Sequence, residues 1–408
     1  MKLTTNTKTK NVYIVEMYDK HITGFTTYKH ELLRCLNKID NVIPHIISLR
    51  CPTTEFSIIC NEENIVSFQC PGRHNDVTEI SCALLALHID NQSNNIFMYN
   101  FSPASQWLNA FRKYFSKGKN IYIIHDFMWA SFLLGNMEKF YSILADNPID
   151  KQSILINHIF QDGKETFNQS DKIVCLSDDA YQLLQKAYRI PFDKIVKIHN
   201  GLHDYAIKNV LRKVPMMKQL EYLNNKKILL YVGRVSLQKG AIDLLESFTA
   251  VIKCFPDTIL IIAGEVESLL LSNLNNDIRS NIIVLGSISH EKLSFWYQVA
   301  DWGIIPSYYE QCSYAGIEMK MFGLPVISSN GIGVRNMFTS HNSIIAHIGK
   351  HNTCEYQHNL AEAIIKALSL SESQIEELRQ SSQKDYITRY NIVNMFKGYS
   401  KLLNEISK

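Results

Sequence analysis

No stretch of this chain approaches the roughly 18 consecutive apolar residues that suggest a membrane-spanning helix. Its first ten residues, MKLTTNTKTK, carry Lys2, Lys8 and Lys10 without the apolar core of a secretion signal. An excess of one charge is also missing: 42 Lys and Arg stand against 39 Asp and Glu, a net charge of +3 over 408 residues. A dedicated nucleic-acid binder would be strongly basic, so that class is excluded and any anion site must be local. Cysteines at metal spacing are absent. The nine (Cys35, Cys51, Cys60, Cys70, Cys82, Cys175, Cys254, Cys312, Cys354) include no C-x-x-C. Cys51, Cys60 and Cys70 lie near one another without zinc-ligand spacing. Their odd number and scatter read as reduced thiols of a cytoplasmic protein. There is no low-complexity tract and no repeat with a period of roughly 20–50 residues. No G-x-G-x-x-G follows the first apolar run, which argues against an NAD-linked oxidoreductase.

What is present is a globular composition, 46% hydrophobic and 20% charged. The length allows two or three domains of roughly 150 residues. Short apolar runs alternate with helical patterns almost throughout, the signature of βαβ units and parallel sheets. The expected strands of the first half are 11–17, 42–49, 96–100, 121–125, 172–177 and 195–199. Helices are expected over 25–39, near 78–90, from Ser102-Pro103 onward, over most of 127–168, and over 178–188. Residues 52–70 break the rhythm. There, 56–60 and 65–70 read as a hairpin around a polar turn, inserted into the first sheet or placed at its edge. Residues 206–225 carry no strand signal and read as a connection. A second series of strands follows at 227–232, 258–263, 281–285, 302–306, 325–328 and 343–348. The expected division is therefore 1–205, a linker at 206–225, 226–387, and a C-terminal helix at 388–408 crossing back to the first domain.

The chemistry-bearing residues concentrate in the second half. Gly233-Arg234 follows the 227–232 strand, and Gln238-Lys239-Gly240 precedes a helix. Open α/β sheets bind ligands at that junction, where a helix N-terminus adds partial positive charge. After 302–306 comes Glu310, and a helix is expected to start near Cys312 or Ser313, which places Glu318 between one and two turns inside it. Two carboxylates beside a helix N-terminus suit hydroxyls better than anions. Taken singly, each residue is as readily a solvated charge or a cap.

In order, these residues resemble the GT-B retaining glycosyltransferases of the GT4 family, also called glycosyl transferases group 1. The resemblance runs nearly end to end over 228–345: Gly233-Arg234 with Lys239-Gly240, a strand ending in Gly264, a segment near Gly286, Ala300-Asp301 before a strand ending in Pro306-Ser307, Glu310 and Glu318 with seven residues between, and Phe322-Gly323-Leu324-Pro325-Val326. The first half is similar through Gly24, His125-Asp126, and Asn200-Gly201 with Asp204. The chain departs from the family in having Thr23-Gly24 where two glycines are usual, and Gln311-Cys312-Ser313 where Pro-Phe-Gly is frequent.

The resemblance implies two Rossmann-like doubly wound domains facing a central cleft. It implies a hexosyltransferase-type enzyme that moves a sugar from a nucleoside-diphosphate donor, UDP- or GDP-linked, to a glycan, lipid-linked, peptide or small-molecule acceptor with retention of configuration. The nucleotide sugar is a substrate, so no cofactor is expected. No metal is expected either, since D-x-D, the metal–nucleotide motif of the other main glycosyltransferase architecture, is missing. Arg234 and Lys239 would hold the diphosphate, Glu318 the ribose, and Glu310 the donor sugar. Ser313, Tyr314 and Ala315 would cap the distal phosphate, which Gly24 would approach. Ser287 and Ile288 would meet the base, His125 would bond the sugar, and Gly233 and Gly264 would shape the donor loops. The alternative is an inactive partner or chaperone subunit with the same fold, against which the retained Arg234, Lys239, Glu310 and Glu318 argue. One further segment bears on location. On a helix over 105–119, Trp107, Phe111 and Tyr114 share a face flanked by Arg112, Lys113, Lys117 and Lys119. Peripheral contact with an anionic membrane is one reading, and packing against the first sheet is the favoured one.

Overall fold

The structure is a computed structural model describing residues 9–19, 24–61, 64–72, 76–146, 150–206, 218–266, 276–351 and 353–406, with backbone alone at 218–220 and 276–277. Thr23 and most of the expected linker, 207–217, lie outside the described residues. The chain forms two compact units. Unit one takes the described residues of Met1–Phe132, Met137–Asn200 and Ile392–Lys408, and unit two those of Leu133–Asn136 and Gly201–Asn391.

Unit one contains strands β1 (Lys10–Met17), β2 (Val42–Cys51), β3 (Ser57–Cys60), β4 (Val66–Pro71), β5 (Asn95–Tyr99), β6 (Lys119–Ile124), β7 (Lys172–Cys175) and β8 (Ile195–Lys197). Its helices are α1 (Gly24–Leu36), α2 (Val77–Ala86), α3 (Ser105–Tyr114), α4 (Met128–Phe132), α5 (Met137–Ala145), α6 (Lys151–Gln169) and α7 (Asp178–Lys186). The sheet runs β3-β4-β2-β1-β5-β6-β7-β8. Every pairing is parallel except β3 with β4, the hairpin expected from 52–70, which occupies the sheet edge. β1 reads NVYIV from Asn11 to Val15 without polar alternation, because helices cover both its faces; Val12, Ile14 and Val15 are fully buried.

One expectation for this unit is corrected. Helix α3 opens at Ser105, not at Ser102-Pro103. The Ser105 hydroxyl donates to Asp162 of α6, so a tertiary contact sets the start rather than the local Ser-Pro pattern. The aromatic face of α3 packs on the first sheet, as the favoured reading of its sequence has it. Trp107 and Phe111 are buried, and Phe111 lies 5.2 Å from the Phe97 ring and 5.5 Å from the Tyr99 ring on β5. Its cations are engaged at the surface: Arg112 donates to the Gln169 carbonyl at 2.8 Å, and Lys113 to Glu79 at 3.0 Å. No helix among the described residues is long and apolar enough to cross a membrane.

Unit two contains β9 (Lys227–Val232), α8 (Ala241–Cys254), β10 (Thr258–Ala263), α9 (Asn276–Arg279), β11 (Ile282–Gly286), α10 (His290–Val299), β12 (Trp302–Ile305), α11 (Tyr314–Met321), β13 (Val326–Ser329), α12 (Val334–Met337), β14 (Ser343–Ala346), α13 (Thr353–Leu368) and α14 (Glu372–Asp385). Its all-parallel sheet runs β11-β10-β9-β12-β13-β14. Strand order reverses between β9 and β12, as in a doubly wound Rossmann sheet. Leu229, Leu260, Ile304 and Ile327 of the sheet pack with Leu244 and Phe248 of α8 and with Tyr356, Leu360 and Ile364 of α13. The last helix, α15 (Ile392–Ile406), belongs to unit one. Its Tyr399 hydroxyl contacts that of Tyr28 on α1, and Lys10 Nζ donates to the Leu403 carbonyl at 2.9 Å.

Unit one holds two neutral histidines, His45 buried and His125 half-buried. His45 stacks on Tyr13 at 4.8 Å, and burial lowers its pKa to about 4. Burial lowers His125 to about 3. The unfolded chain takes up these protons near the ordinary value of about 6.5, so below that pH it binds more protons than the folded chain. Stability is therefore complete above about pH 6.5 and falls as pH drops toward 4, by up to ~2.7 kcal/mol per pH unit for two such groups. Urea unfolding of the full chain at about pH 7 and about pH 5 checks this. His45→Leu is expected to remove about half of the difference.

Candidate active site

The site is built on the carboxyl ends of β9 and β12, the two strands at which the order reverses. The crossovers from these neighbours leave toward opposite faces and open a crevice between the strand ends. Gly233 and Arg234 follow β9, and the loop turns back through Lys239 into α8. Gly240 caps α8 at φ 64°, and a Cβ there would lie 2.0 Å from the Pro306 carbonyl oxygen. Only glycine lets the β9 loop approach the end of β12 this closely. The approach is fixed further by the Tyr308 N–H donating to the Gln238 carbonyl at 3.0 Å. The Tyr356 hydroxyl donates to the Pro306 carbonyl at 2.5 Å.

This crossing brings together two residues that lie 71 positions apart in the sequence. Lys239 Nζ lies 2.5 Å from Glu310 Oε1, and the Ser307 hydroxyl donates to the same oxygen at 3.2 Å. Both side chains of the ion pair are partly exposed, Glu310 less so. Gly333 secures the Glu310 backbone from the other side: at φ 75°, a Cβ there would lie 1.6 Å from the Glu310 carbonyl oxygen. Arg234 is exposed beside them, its carbonyl accepting from the Tyr231 hydroxyl at 2.6 Å.

Ser313 caps α11, its hydroxyl accepting from the Gly316 N–H at 3.4 Å. The Ser313 N–H is directed at Met337 Sδ, 3.2 Å away, and so points to sulfur. Tyr314 and Ala315 form the partly exposed first turn of α11. Glu318 sits one turn further and is only 3% exposed. Its Oε1 accepts from the Tyr205 hydroxyl at 2.6 Å and lies 3.2 Å from His290 Nδ1; its Oε2 accepts from the Tyr297 hydroxyl at 2.6 Å. Glu318 is thus neither a solvated helix residue nor a bare carboxylate. Tyr205, Tyr297 and His290 were not singled out in the sequence. The one available signal was the position of Tyr205 beside Asp204. Ser287 and Ile288 lie just after β11 and before α10, which Ser289 caps and His290 opens. Gly264 ends β10, its N–H donating to the Gly286 carbonyl, while the Gly233 N–H donates to the Ala263 carbonyl, both at 2.9 Å.

In unit one, Gly24 opens α1. The Phe25 and Tyr28 rings of that helix lie edge-on to His125, at 4.9 and 4.3 Å. His125 follows β6 and, with Phe25, Asn100, Ser102, Tyr122 and Asp126, lines a cavity of about 120 Å³. Its Nε2 is buried without a hydrogen-bond partner among the described residues. Asp126 accepts from the Ser131 hydroxyl of α4 at 3.4 Å. A cavity of about 530 Å³ in unit two lies at the entry ends of the strands beside Lys227, Trp302 and Pro325, with Tyr297 and Phe322 in its lining.

Residues 215–385 match the family described as Glycosyl transferases group 1. Among curated proteins, the chain is 25% identical over 168 residues to an uncharacterised glycosyltransferase of Methanocaldococcus jannaschii, covering 40% of this chain and 43% of that protein. It is 26% identical to the 2-deoxystreptamine N-acetyl-D-glucosaminyltransferase of Niallia circulans, over 45% of this chain and 48% of that one. With the glycogen synthase of Mycobacterium tuberculosis it shares 30% identity over 40% and 39%. The matched stretch therefore spans less than half of each of these relatives. Solved structures agree over nearly the whole chain. Sucrose-phosphate synthase from Thermosynechococcus elongatus superposes with a TM-score of 0.70 at 14% identity, over 97% of this chain and 99% of that one. The Anabaena protein HepE, in complex with UDP, superposes with a TM-score of 0.73 at 12% identity, over 97% and 100%. At such identities the likeness speaks for the fold, which is GT-B: α/β, with two Rossmann-like units. The matched stretch, 215–385, contains every residue of the unit-two site described above except Tyr205.

Helix α11, which carries Glu318, is tied to the end of that domain by a buried ion pair. Lys320, fully buried, lies 2.8 Å from Asp385, which also takes Arg389 Nη1 at 3.3 Å. Removing Asp385 would strand two cations beside the Phe338 and Tyr390 rings. Asp385→Ala should therefore cost about 3–5 kcal/mol in denaturant unfolding, whereas Lys320→Met, which removes the buried charge and leaves Asp385 with Arg389, should be near neutral or stabilising.

Proposed function

We propose that the protein is a retaining glycosyltransferase that takes a sugar from a nucleoside-diphosphate donor without a metal ion. The observation that carries this reading is the Lys239–Glu310 pair beside Arg234, at the strand-order reversal of a group 1 domain. Cleaving an anomeric carbon–phosphate bond gathers positive charge on the sugar and negative charge on the leaving diphosphate. Preorganised cations aimed at the leaving oxygen are the largest expected contribution to rate. Arg234 and Lys239 are assigned that role. Glu310 is assigned to the donor sugar, Glu318 to the ribose, Ser287 and Ile288 to the base, and the first turn of α11 to the distal phosphate. His125, kept neutral by burial, is assigned a hydrogen bond to a sugar hydroxyl. Support for a nucleotide donor comes from HepE, whose structure holds UDP.

Glu310 neutralises Lys239 across their 2.5 Å contact. A diphosphate would take over the lysine and leave the carboxylate to the sugar. Three outcomes follow from this exchange. UDP, GDP, ADP and TDP are compared by thermal shift, and a nucleotide at 100 times its Kd raises stability by about 2.7 kcal/mol. Lys239→Ala should lose roughly two to three orders of magnitude in turnover with the fold intact. Glu310→Gln should lose turnover but bind the free nucleotide at least as well as the parent, because its lysine is released. A folded Lys239→Ala protein with near-normal turnover refutes the assignment.

Metal independence rests on the fixed cations: a Mg²⁺ ion would compete with Arg234 and Lys239 for the same oxygens and prefers oxygen ligands in octahedral array. Transfer in excess EDTA should therefore proceed at the rate seen with Mg²⁺. The product's anomeric coupling, read by NMR, should match that of the donor sugar. Activity lost to EDTA and restored by Mg²⁺ or Mn²⁺ overturns the first expectation, and an inverted product overturns the second.

A further inference from the structure

The three donors on Glu318 are not equivalent. Tyr297 is buried and stacked on Phe322 at 5.3 Å, and Tyr205 lies edge-on to the same ring at 5.9 Å. His290 has a side chain 59% exposed and makes the longest of the three contacts, 3.2 Å. A carboxylate has about four acceptor positions, and three are in use. A ribose presents two neighbouring hydroxyls, so accepting both leaves one donor too many. Withdrawing Tyr297 would strand a buried hydroxyl, and Tyr205 holds Glu318 at the shorter distance of 2.6 Å. Turning His290 outward returns a half-solvated ring to water. His290 also opens α10 immediately after Ser287, Ile288 and Ser289, the segment assigned to the base.

We propose that His290 is a placeholder on Glu318, occupying the position that the donor's ribose takes over, and that it thereby sets donor affinity and its dependence on pH. The proposal rests on the reading of Glu318 as the ribose ligand.

The groups facing His290 are Glu318 from α11, Tyr205 from the chain ahead of β9, whose ring is 6.4 Å away, and Tyr297 from its own helix. Glu291 and Lys292 flank it on α10, and His203 lies 5.4 Å from Tyr205. The hydrogen bond to Glu318 and that residue's charge raise the His290 pKa, while burial opposes them. Imidazolium holds a carboxylate more strongly than imidazole does. In acid His290 therefore keeps Glu318, and as pH rises through its raised pKa the grip loosens. Donor binding strengthens with rising pH, and by reciprocity bound donor lowers the His290 pKa.

The test uses UDP-glucose, GDP-mannose and ADP-glucose, whose diphosphate diesters have no proton to lose near neutral pH. Calorimetric titration of the full chain at about pH 6 and about pH 8.5 is compared for the parent, His290→Ala and Glu318→Gln. The best-binding probe should bind the parent roughly fivefold more tightly at the higher pH. His290→Ala should bind it at both pH values with the parent's high-pH affinity. The imidazole C2–H resonance of His290 should titrate at lower pH when the probe is saturating. A pH dependence that persists in His290→Ala, or weaker binding by that variant at both pH values, overturns the exchange. If Glu318→Gln binds the probe as the parent does, or if no probe binds the parent at all, the ribose reading fails, and the exchange fails with it.

Discussion

Two adjacent parallel strands whose connections leave toward opposite faces leave a gap beyond their carboxyl ends, and nothing in the sheet itself can fill it. β9 and β12 are that pair in unit two. Arg234, Lys239, Glu310 and Glu318 all lie on the loops or the helix that follow these two strands. The gap tolerates charge because it is only partly dry. Lys239 and Glu310 meet there at 2.5 Å, with side-chain exposures of 27% and 12%. Such a pair contributes little to stability while exposed to solvent screening. Its value lies in holding a cation and a carboxylate a fixed distance apart before any ligand arrives, which spares reorganisation when charge develops. The glycines at 240 and 333 serve the same end, since any side chain there would push the two loops apart.

Behind this open pair the domain places charge where water cannot reach it. Glu318 and Lys320 lie two residues apart on α11, and both are buried. Each has a dedicated shell. Tyr205, Tyr297 and His290 serve the carboxylate, and Asp385 serves the ammonium with the Phe338 ring 4.6 Å away. Two residues apart on a helix point in different directions, so the shells come from different parts of the domain. The result ties the helix bearing Glu318 to the Asp385 end of α14. Positioning a carboxylate through the buried Tyr297 hydroxyl limits its freedom more than solvent could.

Unit one applies the same economy to a neutral group. His125 sits at the end of β6 against the Phe25 and Tyr28 rings of α1, and burial keeps its imidazole uncharged. The Tyr28 hydroxyl meets Tyr399 of α15, so the C-terminal helix supports α1, and α1 supports the histidine. A neutral imidazole can donate from one nitrogen and accept at the other, which suits a sugar hydroxyl better than a cation would.

By itself the sequence determined the local order. Apolar runs of strand length between helical patterns identified the βαβ series, and the unit-two strands fall within a residue or two of where periodicity places them, because buried parallel strands are apolar on both faces. Spacing alone put Glu310 before a helix and Glu318 inside it, since the turn residues that cap a helix act over three or four positions. Tertiary structure decided what those residues touch. Lys239 and Glu310 meet only because strand order reverses at β9, and no local signal encodes which strands become neighbours. Glu318 is caged because Tyr205, 113 positions earlier, returns to it. The start of α3 moved to Ser105 because a hydroxyl found Asp162 57 residues away. Its aromatic face, which periodicity left open to either a sheet or a membrane, packs on β5. Periodicity reports that a face must be covered, and only the assembled chain decides by what.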